Sequence, residues 1–419
     1  MTNTANIFLP GASPASKARN TPTTPPFPWI GLITLAAAVF LSVTSEMLPT
    51  GLLPEMSKSL GVAESQIGLL VSWFAFTVVI TSAPVAILTR RFPRHGLIIV
   101  VLVVFALSSV LTAIAPTYEL VVAARVLGGI AHGLFWSVVG AYAAHLVPKA
   151  QIGRAVSIVV AGGTLAFVFG VPLGTAAGHL LGWRLSFVGL GALMLVGAAL
   201  VFKFLPPVKR HSTGPSAADA EAAPVQGGRK DPTIPAVVLI CFITGITMIG
   251  HYSFYTYIAP FLLDGLGVGT GQLAPLLFAY GIAGAIGLLL VGTIFGPRPT
   301  LGLVLGLGVS AVSVTLLAIF SATLPVALAA FVLWGMAFGT LPPLLQTRML
   351  HAASAGIRDT AAAFYTTAFN AGIGGGALVG ALLIDSVGLE FVPLVYVGLL
   401  LLALTLVLVT DLIMRRRLE

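Results

Sequence analysis

From Gly162 to Gly178 the chain reads G-G-T-L-A-F-V-F-G-V-P-L-G-T-A-A-G, with Gly162, Ala166, Gly170, Gly174 and Gly178 at four-residue steps. On a helix these positions form one smooth ridge. Glycine weakens a helix in water, but in lipid small residues let a second helix backbone approach and pack. Pro172 lies within the ridge, removes one backbone hydrogen bond, and predicts a local bend. After 206 residues the ridge returns as Ala368, Gly372, Gly376 and Gly380.

The same gapless offset carries Leu60-Gly61-Val62 to Leu266-Gly267-Val268, Gln66 to Gln272, Pro54 to Pro260 and Pro93 to Pro299. It also carries Gly129 and Gly133 to Gly335 and Gly339, and Gly182 to Gly388. Matches at Leu, Val or Ala carry little weight in so apolar a chain; matches at Gly, Pro and Gln carry more. The chain reads as two copies of one unit. Charged residues are 8% and apolar residues 58% of the 419, and the mean hydropathy is +1.05. So little charge cannot clothe a soluble protein, which makes this an all-α membrane protein of about twelve spans of roughly 20 residues. A long repeat in such a chain points to a transporter built from two halves. The single Cys241 allows no internal disulfide and no metal cluster.

Helices are expected at 29–53, 66–88, 97–115, 119–146, 152–179 and 185–205, then at 233–260, 272–295, 300–320, 324–349, 357–384 and 391–414. The domain plan is a disordered tail at 1–28, a six-helix bundle at 29–205, a Pro/Ala/Gly linker at 206–232, a second bundle at 233–414 and a basic tail at 415–419. With the N-terminus in the cytoplasm, 18 of the 21 Lys and Arg residues fall in the tails and the even-numbered connections. Outer loops hold Lys58 and Arg184, and Arg125 lies within a span. This is the positive-inside pattern, so both termini are expected in the cytoplasm. The net charge of +8 is therefore a topology signal and not a nucleic-acid footprint.

Several stretches carry a family resemblance. Leu120 to Trp136, L-V-V-A-A-R-V-L-G-G-I-A-H-G-L-F-W, resembles the fourth-helix motif of the drug:proton antiporters of the major facilitator superfamily. Gly163 to Gly174, ending G-V-P-L-G, is similar to the antiporters' fifth-helix motif. Ser45-Glu46, Gly182-Trp183-Arg184 and G-H-Y-S-F-Y-T-Y-I-A-P-F from Gly250 resemble the sugar- and arabinose-efflux permeases of that group. The resemblance spans roughly residues 29–414. It implies two pseudo-symmetric six-helix bundles in a bacterial cytoplasmic membrane, acting as a monomer. One departure stands out. The superfamily's loop signature, G-x-x-x-D-R-x-G-R-R, is here A-I-L-T-R-R-F-P-R-H from Ala86, with Arg90 at the acidic position beside Arg91 and Arg94. The carboxylate latch of the inner gate is thereby in doubt, and the three arginines serve equally well as cytoplasmic anchors.

Of thirteen acids, only Glu46 lies well inside a span. A carboxylate in the bilayer costs about 2.5 kcal/mol or more, so it needs a partner or water. Counting residues along the helices places Glu46 about 12 Å and Arg125 about 9 Å below the outer surface. In the family fold both helices line the central cavity, so a Glu46–Arg125 ion pair is expected from the resemblance. The repeat supplies an independent argument. Glu46 corresponds to Tyr252 and Arg125 to Phe331, and polar residues that break the repeat are candidates for function. Glu46 is thus the candidate proton carrier, tuned by Arg125; a permanent pair holding two helices together is the alternative.

His132 lies two turns beyond Arg125 and suits either proton or substrate handling, or a bond to a neighbouring helix. His251 on the seventh helix divides in the same way, and Asn370 suits either substrate or an interhelical bond. Tyr252, Tyr255, Phe331, Trp334 and Phe338 gather on the seventh and tenth helices, and Trp136 closes the fourth-helix motif. Together they describe a cavity charged on one wall and aromatic on the other, suited to amphipathic organic molecules or sugars, although each ring also suits ordinary packing. The ridge residues Gly162, Gly170, Pro172, Gly174, Gly178, Gly372, Gly376 and Gly380 are expected to be the surfaces on which one half rocks against the other. No metal-ligand cluster, nucleophile–base constellation or phosphate-binding loop is present, so neither an enzyme nor ATP drive is expected. The reading is a transporter that exports a small organic solute against inward-moving protons, with no cofactor beyond the proton gradient. A passive facilitator, an uptake symporter and a non-transporting receptor are the alternatives.

Overall fold

In lipid every backbone donor and acceptor must be met within the chain, so an apolar sequence of this kind resolves into helices. The computed structural model of the protein describes residues 27–148, 151–206 and 231–416. The tail expected at 1–28 and the linker at 206–232 lie almost wholly outside the described residues, as do Lys149 and the last three residues of the 415–419 tail. Among the described residues, twelve helices are long and apolar enough to cross a membrane. They are α1 (Trp29–Gly51), α2 (Glu64–Thr89), α3 (Arg94–Ile114), α4 (Tyr118–His145), α5 (Ile152–Leu181) and α6 (Trp183–Phe204) in the first half. The second half holds α7 (Ile234–Tyr255), α8 (Thr270–Phe295), α9 (Pro299–Ile319), α10 (Leu324–Ala352), α11 (Arg358–Ser386) and α12 (Val392–Arg416). An even number of spans places both ends of the bundle on one face, here called the termini face; the opposite face is the far face.

The repeat is written into the backbone. Among the described residues, four glycines have positive φ: Gly61 (65°), Gly182 (91°), Gly267 (66°) and Gly388 (102°), two pairs at the offset of 206 residues. Gly61 and Gly267 end the far-face segments that follow α1 and α7, in a left-handed conformation that glycine adopts without steric cost. Both segments are also preceded by a break in the helix, at points two residues apart in the repeat. The helix expected at 29–53 stops at Gly51, and a short helix Leu53–Leu60 follows. The helix expected at 233–260 stops at Tyr255, five residues before Pro260, whose missing N–H leaves the preceding turn without its donor. The bend predicted at Pro172 is likewise resolved locally. Ala166–Gly170 forms a π-helical turn inside α5, with Val171 N–H donating to the Ala166 carbonyl.

The glycine ridges pack within each half, which corrects the expectation that the halves rock on them. A Cβ at Gly162 would meet the Ala36 carbonyl, at Gly170 the Thr44 hydroxyl, at Gly174 the Leu48 side chain and at Gly178 the Leu52 side chain. The α5 ridge therefore lies along one four-residue stripe of α1. In the second half Gly372, Gly376 and Gly380 lie in the same way against Met248, Ile249 and Ser253 of α7. The physical reason is the stripe itself: small residues at i, i+4 mark where two backbones come closest, and the closest pairs here belong to the same bundle.

The halves meet on other residues. Gly68 of α2 faces the Tyr257 ring, Gly374 of α11 faces Phe76 and Ala75, and Gly281 of α8 faces the Phe167 carbonyl and the Val168 Cα in the π turn of α5. Ser72 Oγ donates to the Gly374 carbonyl (2.8 Å). The Tyr257 phenol reaches the Ser65 carbonyl of the first half (3.3 Å) and the Ala377 carbonyl of the second (2.9 Å). All these contacts run from the middle of the spans to the far face. The protein is therefore in a state joined on the far face. That face carries further ties in the first half: His179 Nδ1 is 2.6 Å from Glu55 Oε1, and Arg184 donates to Ser59 Oγ (2.6 Å) and the Ala115 carbonyl (3.1 Å). On the termini face, Arg90 and Arg91 are exposed and Arg94 is half-buried at the start of α3.

Candidate functional site

Glu46 is the only buried carboxylate among the described residues, with 6% of its side chain exposed. Its helix contains the reason for what surrounds it. Pro49 has no N–H, so the Ser45 carbonyl four residues earlier loses its helical donor. Arg125 of α4 takes that place: Nη1 donates to the Ser45 carbonyl (2.7 Å) and Nη2 to the Glu46 carbonyl (2.8 Å). The guanidinium also lies over the Phe74 ring, 4.4 Å from its centroid. The expected Glu46–Arg125 side-chain ion pair is thus not formed. The two charges act on each other, but the cation is anchored on the backbone of the residue that carries the acid. The planar guanidinium has a fork of donors that spans two adjacent carbonyls, and those carbonyls cannot move away without unwinding α1.

The carboxylate is left comparatively free. Glu46 Oε1 is buried and has no hydrogen-bond partner, and the same holds for Arg125 Nε. Glu46 Oε2 lies 3.6 Å from His132 Nε2, and His132 Nδ1 lies 2.9 Å from Ser42 Oγ. Phe74 meets the histidine ring edge-on at 5.2 Å, and the half-buried Trp136 lies 6.1 Å away in a tilted contact. A buried polar atom without a partner costs about 1–3 kcal/mol. Two such atoms on residues joined by a hydrogen bond call for an explanation, and a proton taken up by the carboxylate would give Oε1 a role as donor.

The second half supplies the aromatic wall. Tyr252, Tyr255, Phe331 and Trp334 are buried, Phe338 is half-buried, and His251 stacks on Phe338 with an interplanar angle of 5°. Met47, next to Glu46, belongs to the same buried cluster as Tyr252 and Tyr255, so acid and rings share one region. Phe167, carried on the π turn of α5, reaches across to Tyr255 at 6.1 Å. Asn370 stands apart: its Nδ2 donates to the Thr366 carbonyl of its own helix (2.9 Å).

Three residues of this region escaped the sequence reading although its own rule would have found them. Tyr280 of α8 lies 5.0 Å from Phe331 and 5.1 Å from Trp334, and its hydroxyl is buried without a partner. Its repeat counterpart is Phe74, which covers Arg125 just as Tyr280 covers Phe331, the counterpart of Arg125. Tyr396 of α12 replaces the repeat's Leu190, and Ser42 replaces its Met248. Each is a polar group where the other half has an apolar one.

Two helical bundles of matching backbone, closed on one face around a buried acid and an aromatic wall, define a two-halved membrane transporter. A family model of the Major Facilitator Superfamily matches residues 35–358, and the chain belongs to that family. It is 33% identical over 361 residues to a chloramphenicol efflux pump of Mycobacterium tuberculosis (strain CDC 1551 / Oshkosh), across 84% of this chain and 85% of that protein. Among solved structures, a D-xylose-proton symporter aligns with a TM-score of 0.73 at 17% identity, covering 91% of this chain and 97% of its own. A bacterial homologue of the human lysosomal transporter Spinster, inward-facing and unoccupied, aligns at 0.71 and 15% identity, covering 92% and 97%. These last two likenesses concern the fold. The protein is a multi-pass transporter of small molecules in the bacterial cytoplasmic membrane, and not an enzyme.

Proposed function

We propose that the protein is a monomeric secondary exporter that expels an amphipathic organic solute in exchange for protons. The observation that carries the reading is the buried Glu46 carboxylate whose Oε1 has no partner while both Nη atoms of the neighbouring guanidinium donate to backbone carbonyls. A carboxylate locked in an ion pair would resist protonation. One beside a fixed guanidinium, with a free oxygen, can hold a proton in one state and release it in another as its surroundings change. The termini face is cytoplasmic in this reading, supported by the distribution of Lys and Arg. The far-face closure then makes the present state the one that loads solute from inside. The kinship to a chloramphenicol efflux pump supports export and a drug-like solute over sugar.

The test is proton release in weak buffer when chloramphenicol is added to purified protein, with binding followed by tryptophan fluorescence. Wild type should release protons on binding, and Glu46→Gln should bind without release. Binding by wild type with no release would identify a passive carrier and overturn the antiport reading.

A further inference from the structure

The direction of one hydrogen bond in the second half can be read from donor chemistry alone. Trp334 Nε1–H can only donate, and it lies 3.1 Å from the Tyr396 hydroxyl. The Tyr396 oxygen therefore accepts, and its own proton remains available. The next polar atom is His251 Nδ1, 3.4 Å from the same hydroxyl. If Tyr396 donates there, Nδ1 is the bare nitrogen and a neutral ring carries its proton on Nε2. No carboxylate lies at ion-pair distance from His251 among the described residues. The two faces of the ring are occupied by Phe338, at 5°, and Tyr255, at 17°, which make no ring contact with each other. The remaining edge, with Nε2, makes no hydrogen bond among the described residues.

We propose that His251 is a solute-binding residue presented as a neutral Nε2–H donor, and that Tyr396 and Trp334 are positioning residues that hold it in that tautomer. The inference rests on the export reading above and narrows the class of solute. A neutral donor clamped between two rings selects an uncharged or weakly polar molecule with an aromatic face and an adjacent oxygen acceptor, such as a carbonyl or nitro group. Tyr280, whose ring lies 5.1 Å from that of Trp334 and whose hydroxyl is buried without a partner, is a second donor in this half. Sugars, which need many convergent polar groups, fit this half poorly. The repeat shows why it is specific to this half. The counterparts of His251, Trp334 and Tyr396 are Ser45, Gly128 and Leu190, so the whole chain of bonds is absent from the first half.

The test uses full-length protein labelled with 15N at histidine, with the His251 signals assigned by their loss in His251→Gln. Protonated and bare ring nitrogens resonate apart, so the tautomer is read without any transport assay. Wild type should show a protonated Nε2 and a bare Nδ1, and Tyr396→Phe should raise the share of the opposite tautomer. A protonated Nδ1 in wild type, or a tautomer indifferent to Tyr396→Phe, would overturn the inference. In parallel, chloramphenicol binding should weaken about two- to tenfold in Tyr396→Phe, the range expected for one hydrogen bond. His251→Phe should weaken it at least as much, while His251→Gln, which keeps an N–H donor, should restore part of it. Equal affinity in all three variants would remove His251 from the site even with the tautomer as expected. Absence of chloramphenicol binding by wild type counts against the drug-export reading, and the tautomer measurement then still decides the role of Tyr396 and Trp334.

Discussion

Gly68→Ala separates the stability of a half from the contact between halves. The methyl group would overlap the Tyr257 ring, and the three nearest atoms to it all belong to that one side chain across the interface. Within its own helix the change is favourable, because alanine restricts the unfolded chain and stabilises a helix interior by about 0.5–1 kcal/mol. That gain is present in every conformation and cancels from the equilibrium between them. The overlap is present only when the far face is closed. Forcing a methyl group into a packed site costs about 1–3 kcal/mol. Displacing the ring also strains the phenol's bonds to the Ser65 and Ala377 carbonyls. A shift of about 1–3 kcal/mol moves a two-state equilibrium about 5- to 150-fold toward the far-face-open state.

The assay is the distance between spin labels at Lys58→Cys and Thr270→Cys, exposed far-face positions in opposite halves, in a Cys241→Ser background. Gly68→Ala should enlarge the long-distance population with a melting temperature equal to or above that of the parent. Gly189→Ala, where a methyl group meets nothing within 4 Å, should leave the distribution unchanged. An unaltered distribution in a folded Gly68→Ala protein would refute the assignment of this contact to the closure.

Four further outcomes are expected. Tyr257→Phe should shift the same equilibrium in the same direction by about 0.5–1.5 kcal/mol, since it removes a hydrogen bond but leaves the ring; no shift in the spin-label distances would show that the phenol does not hold the far face. Gly162→Val should instead lower the melting temperature of the purified protein, because its Cβ would meet the Ala36 carbonyl within one half, at a cost of at least about 1–3 kcal/mol; an unchanged melt would contradict the ridge packing. Arg125→Lys should not restore what Arg125→Met loses in thermal stability, because an ammonium lacks the planar fork that serves two adjacent carbonyls; full rescue would show that charge alone matters. Hydrogen bonds from Ser354 and Thr233 hold the Asp231 carboxyl below its ordinary value of 3.8, so its stabilising contribution is complete above that pH and is lost as pH falls through the lowered value. Melting curves of Asp231→Asn should therefore lack part of the wild-type decline below about pH 3.8, and identical acid limbs would count against the bonds.

Much of the architecture was legible because its signals are local or periodic. The observed spans agree with the expected ones to within a few residues, except that α7 ends at Tyr255, short of the expected 260. There Pro260 itself contained the warning, as did Pro54 in the first half. The candidate site was legible in part. Burial of Glu46 followed from its place within a span, and its proximity to Arg125 from matched depths together with the family resemblance. The manner of their contact did not, since it depends on a backbone carbonyl freed by Pro49 and on where the guanidinium reaches across to α1. Tyr280 and Tyr396 were missed because the rule was applied to charges and not to hydroxyls.

By itself the sequence determined that the chain lies in a membrane, that it is duplicated, where its helices run and which carboxylate is buried. These follow from hydropathy, from periodicity and from backbone groups that must be satisfied within each helix in lipid. Only the tertiary structure decided which surfaces meet. Two small-residue stripes of equal smoothness look alike along a chain, and whether one packs inside its bundle or against the other depends on the summed fit of every neighbouring side chain. That fit turned the glycine ridges inward, gave the interface to Gly68, Gly281 and Gly374, and set Arg125 on the backbone carbonyls beside a carboxylate it leaves free.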